Sequence, residues 1–271
     1  MYRLFTNTVR DDGIFCKHAR GISERSGKEF HIFHEIIFFL DGEAEFVSEG
    51  LHVHLKPETL IVIPKETYHQ MVIHGDPQRY YRCLLQFSPD FLSLASDALD
   101  QGCARIISAD KEIKYLFSKL TESCDTPDCH STALLKAVLT ILLHSLKGKK
   151  ELTGKENVQT ELILLATDYI NRNIHDQLLL TDIAAACSVS LSTLCHVFKK
   201  EMNIPIHKFI VKKRLVNAYQ KIASGQSATS AAIDCGFRDY SGIIADVRCF
   251  YDRSVHIQGL FCFCLVCQGK I

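Results

Sequence analysis

A duplicated helical pattern in the C-terminal third constrains the fold of this chain more than any other feature of its sequence. The segments Leu180–Lys200 and Ser227–Arg248 carry small, apolar and polar residues in the same order, so that Ala184 matches Ala232. Self-similarity of this kind indicates one structural unit used twice. The order of short helix, tight turn and second helix predicts two helix-turn-helix units.

The residues of each unit suit the positions that this motif requires. The turn position, Ser188 in the first unit and Gly236 in the second, favours a residue that tolerates a positive φ angle. Thr181 is suited to cap the first helix and Ser190 the second. We expect Leu191–Glu201 to be a recognition helix that lies in a DNA groove. Its inward residues are expected to be Leu194, Val197 and Phe198, and its DNA contacts, with Ser190, to be Ser192, Thr193, Cys195, His196, Lys199 and Lys200.

A longer helix, predicted at Ile210–Ile222, connects the two units and carries several basic residues. Lys212 is expected to join Lys199 and Lys200 in contacting DNA, because clustered lysines neutralise phosphates. The alternative is that these lysines form a solvated helix face. The basic residues in and around the predicted helix are Lys199, Lys200, Lys208, Lys212, Lys213, Arg214 and Lys221.

The N-terminal part of the chain reads as strands followed by two helices. Turn residues separate β-branched and aromatic runs at regular spacing, which predicts a sandwich or barrel. Helical periodicity then predicts helices at Lys111–Ser123 and Ser131–Leu146. The apolar stripe of this pair predicts an intramolecular core, or alternatively a dimer seam. The predicted strands are Glu35–Leu40, Glu43–Ser48, Leu51–Leu55, Thr59–Ile63 and Tyr80–Phe87.

Length and composition agree with two domains in one globular chain. The 271 residues exceed the usual size of a single domain. Lys+Arg and Asp+Glu are both 31, so the overall charge does not decide whether the chain binds nucleic acid. With no secretory pattern or membrane span in the sequence, the 12 cysteines predict reduced thiols in a cytoplasmic protein. We divide the chain into a sensing and dimerisation domain at 1–146, a polar linker at 147–160, a helical domain at 161–258 and an apolar, cysteine-rich tail at 259–271.

These motifs together resemble the AraC/XylS family of bacterial regulators. The resemblance is carried by Leu180-Thr-Asp-Ile-Ala, by Leu194-x-x-x-Phe198-Lys-Lys, by Arg214-Leu-x-x-Ala218 and by Ala232-x-x-x-Gly236-Phe-x-Asp-Tyr-Ser. It implies two helix-turn-helix units in successive segments of the major groove. It also implies that the DNA-reading residues are Ser192, Cys195 and His196 in the first unit and Tyr240 and Ser241 in the second.

The sequence departs from the family pattern at several positions, most of them near its C-terminus. Ser188 replaces a usual Gly, and Ala245 stands where a basic residue is common. Asp252 and Val255 replace the Gly and Pro that usually follow the last helix. Because the tail has no family resemblance, we hypothesise a change of reading frame near Gly242.

The strand region is similar to the cupin-type sensor of the same family. His31-x-x-His34-Glu35-x6-Gly42 resembles the first cupin motif, and Pro57-Glu58-x5-Pro64-x4-His69 resembles the second. We expect His31, His34, Glu35 and His69 to line a ligand-binding interior. Imidazoles and a carboxylate could also hold a metal. However, adjacent strand residues face opposite sides, and the spacing departs from His-x-His. The sequence therefore predicts no bound metal and no cofactor.

Two other groups of possible metal ligands have a simpler interpretation. His52 and His54 alternate along one strand, which predicts exposed strand residues. The tail carries Cys262-x-Cys264-x-x-Cys267, which lacks a fourth ligand nearby and lies among apolar residues. This pattern favours a disordered or frame-shifted tail over a metal cluster.

The sequence predicts an α+β protein, with a cupin-like β-barrel and helix pair followed by an all-α double helix-turn-helix domain. Its predicted function is a sequence-specific transcription regulator controlled by a small ligand, of which a sugar or related metabolite is the family-level expectation. The expected partners are promoter DNA, the effector, a second copy of the chain and RNA polymerase, and no membrane. The alternatives are a metal-dependent cupin enzyme with a helical appendage and a protein-interaction adaptor that has lost DNA binding.

Overall fold

The computed structural model describes residues 5–11, 13–21, 28–89, 103–128, 130–152 and 158–237. The predicted DNA-reading residues Tyr240 and Ser241 lie outside these ranges, as do the hypothesised change of reading frame near Gly242 and the tail 259–271.

The N-terminal domain consists of two antiparallel sheets. A six-stranded sheet has the order β1-β2-β9-β4-β7-β10, and a four-stranded sheet has the order β3-β8-β5-β6. The described strands thus form the predicted sheet domain as two sheets that do not close into a barrel. The strands are β1 Phe5–Asp11, β2 Ile14–Arg20, β3 Lys28–Glu29, β4 His34–Asp41, β5 Glu43–Ser48, β6 Leu51–His54, β7 Thr59–Ile63, β8 His69–His74, β9 Tyr81–Phe87 and β10 Arg105–Ser108.

Successive side chains of strand β4 point to opposite faces of the sheet, so they lie in two different apolar cores. Ile37 and Phe39 belong to the core that includes residues of both sheets. Ile36 and Phe38 belong to a second core, formed with the helices α1 (Lys111–Asp125) and α2 (Ser131–Ser145). The predicted helix pair is confirmed, and it covers one face of the six-stranded sheet.

All the secondary structure described in the C-terminal domain is helical. The helices are α3 Val158–Arg172, α4 Leu180–Ala186, α5 Leu191–Met202, α6 Ile206–Ala223 and α7 Ala228–Asp234. Helices α4 and α5 form the first predicted unit, and α7 begins the second.

The turns of the two units share one geometry, as the duplication predicts. Ser188 has a φ of 55° and Gly236 a φ of 80°. The amide following each turn residue donates to the carbonyl of Ala184 in the first unit and of Ala232 in the second. The predicted cap at Thr181 is wrong, because α4 begins at Leu180 and is preceded by Leu179, which makes no side-chain cap bond.

No single helix in the described part of the chain is long and apolar enough to cross a bilayer, and α4 with α5 reaches that length only as a pair bent by 89°.

Candidate DNA-binding surface and effector site

Helix α5 presents an exposed polar face above a buried apolar one. Leu194 and Phe198 are completely buried. Ser190 is the N-cap, and its Oγ accepts a hydrogen bond from the amide of Thr193 at 3.1 Å. Cys195 is half-buried against the helical core. The predicted contact residues on the exposed face are Ser192, Thr193, His196, Lys199 and Lys200.

Helix α6 does not present the basic face that the sequence predicts. Lys212 is 1% exposed, and its Nζ lies 5.3 Å from the centroid of the Tyr68 ring. Lys213 is buried beside it, with Nζ 3.0 Å from Oε1 of Glu49. The prediction that Lys212 contacts DNA is therefore corrected: this face of α6 packs against the sheet domain, so Lys212 is not available to a phosphate in this conformation.

Arg214, one of the basic residues of helix α6, holds the C-terminal ends of α3 and α7 against that helix. Its guanidinium donates hydrogen bonds to the carbonyls of Ile174, Asp176 and Gly236 at 2.9, 2.5 and 2.9 Å. These carbonyls follow α3 and α7, so Arg214 fixes the position of both helices against α6. A sequence pattern shows the arginine but not these carbonyl partners.

Inside the sheet domain, buried histidine and glutamate side chains converge. Nε2 of His31 lies 2.8 Å from Oε2 of Glu35, and Nε2 of His69 lies 3.2 Å from the same oxygen. Donor atoms of these residues and of Glu29 all lie within 4.8 Å of one another. We call Glu29, His31, Glu35 and His69 the interior cluster. Glu35 is fully buried, and both histidines are nearly so.

Each imidazole of the interior cluster is fixed by a hydrogen bond at its Nδ1 atom. Nδ1 of His31 lies 2.8 Å from the carbonyl of Phe33, and Nδ1 of His69 lies 3.0 Å from the carbonyl of Thr67. A carbonyl oxygen only accepts hydrogen bonds, so each Nδ1 carries a hydrogen. Both Nε2 atoms are consequently the ones turned toward Glu35.

The acid–base properties of the interior cluster follow from burial and mutual contact. Burial raises the pKa of Glu35, but the two histidines outweigh this effect and hold the pKa well below its usual range. Burial lowers the pKa of His69, and Glu35 with Glu29 more than reverses this, so the pKa is raised. Burial, followed by the neighbouring Glu35, raises the pKa of Glu29. These contacts therefore favour the ionised form of the Glu35 carboxyl group.

His34 does not belong to the interior cluster, which corrects the prediction that it lines the ligand-binding interior. Its ring stacks on Phe87, with centroids 5.5 Å apart, and its Nδ1 accepts a hydrogen bond from the amide of Lys65. Phe87 lies in the core shared with the helix pair. His34 and Glu35 face opposite sides because they are neighbours on one strand.

Sequence reasoning missed Glu29, the fourth member of the cluster. Glu29 lies in the two-residue strand β3 and pairs with His69 across the ladder. A strand this short has no visible alternation, and no motif included the residue. His52 and His54 are exposed beside Glu45 on the four-stranded sheet, as predicted.

The interior cluster adjoins the contact between the two domains. Phe30 precedes His31 and Tyr68 precedes His69, and both aromatic side chains are fully buried in the core of the helical domain. The Tyr68 ring meets Phe209 edge to face at 6.0 Å, and Phe209 meets Phe198 at 5.3 Å. An unbroken series of aromatic contacts therefore joins the sensor interior to the underside of α5.

Comparison with known proteins agrees with this two-domain architecture. Residues 13–143 match a family model described as an AraC-like ligand binding domain. Residues 183–256 match a model described as a helix-turn-helix domain. A curated protein of Photobacterium leiognathi, named "Probable transcriptional regulator LumQ", is 25% identical over 226 residues, which are 83% of this chain and 88% of LumQ.

Solved structures with similar chains include those of ToxT and CuxR. ToxT from Vibrio cholerae O395 is 12% identical, with 90% of this chain and 92% of ToxT covered and a TM-score of 0.39. The AraC-like transcriptional activator CuxR is 13% identical, with 80% of this chain and 81% of CuxR covered and a TM-score of 0.40.

A ligand-binding sheet domain joined to a helix-turn-helix domain defines a ligand-regulated transcription regulator. The two family models together match most of the chain, one in each domain, and the chain belongs to the AraC family of transcriptional regulators.

Proposed function

We propose that this chain is a sequence-specific DNA-binding regulator whose first recognition helix is α5. One observation carries the proposal: the exposed face of α5, with His196 and Lys200, lies directly above the buried anchors Leu194 and Phe198. A helix held from beneath in this way can enter a major groove without losing its packing. The exposed lysines would contact phosphates, and Ser192, Cys195 and His196 would face base edges.

The proposed effector is a small polar molecule, of the class that includes sugars and related metabolites. The interior cluster supports this class, because buried histidine and glutamate side chains offer hydrogen bonds to polar groups of a ligand. An effector acts only through its difference in affinity for two conformations. Here the two conformations would differ in how Phe30 and Tyr68 pack against the helical domain.

A second copy of the chain and promoter-bound RNA polymerase are the other proposed partners. On α2, Leu134 and Ile141 are exposed although they belong to the predicted apolar stripe. Their spacing places them on one helix face, where they suit a dimer seam. We place the protein in the cytoplasm, as befits a regulator of transcription, and retain the division at 1–146, 147–160, 161–258 and 259–271.

The test of the proposed function is selection of DNA sites from a random pool by the full-length protein. We expect one enriched sequence family, whose affinity falls steeply as salt concentration rises. Affinity is then measured with and without candidate sugars, and a sugar that changes it identifies the effector. An equal affinity for all sequences would refute sequence-specific regulation.

The metal-dependent cupin enzyme makes the opposite prediction. Such an enzyme would turn over a small substrate, lose that turnover with a chelator and show no enriched DNA sequence.

Lys111→Ala is the matched control for substitution of an exposed lysine on α5, because Lys111 is an exposed lysine on α1, in the sensor domain. Its substitution is expected to leave DNA affinity unchanged.

A further inference from the structure

We propose that the interior cluster binds one divalent first-row transition-metal ion, with His31, His69, Glu35 and Glu29 as its ligands. The inference deepens the proposed function, on which it rests, by making the sensor domain respond to a metal. The sequence predicts no bound metal, because no motif includes Glu29 and no pattern shows how the imidazoles are oriented. The proposal reverses that prediction.

The distances within the cluster suit a shared cation. Metal–ligand bonds of about 2.0–2.2 Å place neighbouring donor atoms roughly 3–4 Å apart. The two Nε2 atoms lie 2.8 and 3.2 Å from Oε2 of Glu35, and all four donors lie within 4.8 Å of one another. Small movements of these side chains would therefore place the four donor atoms around one metal ion. Mixed imidazole and carboxylate donors suit zinc, iron or manganese.

The hydrogen bond at Nδ1 of each histidine has the form found at metal sites. A ligating histidine usually donates its other ring N–H to a carbonyl or carboxylate, which fixes the tautomer. The carbonyls of Phe33 and Thr67 fulfil this role for His31 and His69. In the neutral tautomer both Nε2 atoms then direct lone pairs at a carboxylate oxygen, which is a repulsive arrangement without a cation between them.

An independent observation concerns the Nε2 atom of His69. This atom is buried and close to Glu35, yet it has no hydrogen-bond partner with acceptable geometry. A proton on this nitrogen would therefore be poorly satisfied, which is costly in a buried position. A metal ion among the four donors would satisfy it, because its lone pair would become a ligand.

The charges of the cluster also favour a divalent ion. Metal ligation requires neutral imidazoles and ionised carboxylates. In that form Glu29 and Glu35 place two negative charges at a largely buried site, which is unfavourable without compensation. The nearby Arg82 donates to the carbonyl of Gly21 and stacks over Tyr80. One divalent cation would balance the two carboxylates.

Metal binding at the interior cluster would directly affect the contact between the sheet domain and the helical domain. His31 and His69 each follow an aromatic residue, Phe30 or Tyr68, that is buried in the helical core. Drawing the two imidazoles onto a common ion would shift the adjacent backbone, and with it the two aromatic side chains. The ion would thereby favour one packing of the two domains over another.

The experiment titrates Co²⁺ into full-length protein freed of metal by a chelator, with no DNA and no effector present. Visible absorption and the metal content per chain are recorded, followed by displacement with Zn²⁺. We expect one Co²⁺ per chain with micromolar or tighter affinity. Both His69→Gln and Glu35→Gln should weaken this affinity by at least about tenfold, judged against the effects of altering metal-site residues.

The matched control is His34→Gln, because His34 is a buried histidine next to Glu35 that faces the opposite side of the sheet. Its affinity for Co²⁺ should equal that of the unaltered protein. A triple variant, Cys262→Ser with Cys264→Ser and Cys267→Ser, tests the cysteine-rich tail, since thiolate ligands would add near-ultraviolet charge-transfer bands. His52→Gln tests the exposed histidines.

Folding is checked by the unfolding temperature of each variant without metal. Should Glu35→Gln fail to fold, the pair His31→Gln and His69→Gln measures the site instead. The proposal is overturned if the unaltered protein shows no saturable binding, if His69→Gln binds equally well, or if binding disappears in the cysteine or His52 variants. Because DNA is absent, metal binding by a chain that fails to select DNA would refute the proposed function and leave the metal site standing.

Discussion

Lys213 and Glu49 form an ion pair across the boundary between the sheet domain and the helical domain. Their closest atoms, Nζ and Oε1, are 3.0 Å apart, and both side chains are almost fully buried. Nζ also donates to the carbonyl of Glu66, and Glu49 accepts from the amide of Tyr68. This pair connects helix α6 of the helical domain to the loop that leads into His69 of the interior cluster.

Breaking this pair should destabilise the protein. We expect Lys213→Met to lower the free energy of unfolding by about 3 kcal/mol, because it leaves the Glu49 carboxylate buried without its cation. Urea denaturation measures the change. Adding Glu49→Gln should restore part of the loss, since the neutral amide can still accept from Tyr68.

The control for this experiment is the exposed pair of Arg172 and Asp168. Their side chains are 75% and 54% exposed, so solvent screens their attraction. Arg172→Ala should change stability very little. Equal effects of Arg172→Ala and Lys213→Met would contradict a structural role for the buried pair.

The recognition helix and helix α6 should respond differently to the loss of a lysine. We expect Lys200→Ala to weaken binding to all DNA sequences and to reduce the salt slope by about 1, because one phosphate contact is lost. His196→Ala should instead change sequence preference. Lys212→Met should leave the salt slope unchanged, because Lys212 is buried against the sheet domain. Fluorescence anisotropy at several salt concentrations distinguishes these outcomes, and a reduced slope for Lys212→Met would show that α6 contacts DNA.

Two glycines with positive φ angles differ in what surrounds them. A Cβ at Gly236 would lie 2.9 Å from the Arg214 guanidinium, whereas one at Gly225 would have no neighbour within 4 Å. The left-handed backbone alone costs an alanine about 1 kcal/mol. We expect Gly225→Ala to show this cost, and Gly236→Ala to cost about 1–2 kcal/mol more by weakening Arg214 hydrogen bonds to carbonyls. Thermal unfolding of both variants tests this, and equal losses would mean that Arg214 moves aside freely.

The exposed apolar residues of α2 should determine the oligomeric state. We expect Ile141→Lys to convert a dimer into a monomer, because a charge in an apolar seam remains unpaired. Sedimentation at several protein concentrations measures the change. Leu179→Lys, at an exposed apolar residue of the helical domain, serves as the control and should leave the dimer intact. A monomeric starting protein would refute the seam.

Much of the fold follows from local patterns in the sequence. The strands Glu43–Ser48 and Thr59–Ile63 have the predicted bounds, because they alternate or lie between clear turn residues. Helix α6 begins about one turn before the prediction, at Ile206, since Pro205 fits the position preceding a helix. The duplication also predicted the positive φ angles of Ser188 and Gly236, because the turn geometry depends on neighbouring residues only.

The candidate sites depended on contacts between distant parts of the chain, where sequence reasoning was incomplete. The sequence pointed to His31, Glu35 and His69, but Glu29 joins them only through the ladder between β3 and β8. Lys212 looked like a phosphate contact because its burial comes from Tyr68, far away in the sequence. The recognition helix could be predicted from the sequence, because Leu194 and Phe198 repeat at helical spacing.

The sequence by itself determined the helix-turn-helix unit, the apolar face beneath α5 and five of the ten described strands, because these follow from backbone preferences and the periodicity of apolar residues. Only the tertiary structure decided which face of α6 is covered, which side of β4 each neighbouring residue occupies and which donors meet at Glu35. These outcomes depend on how two domains and two sheets pack together, and that packing brings together residues that no local pattern relates.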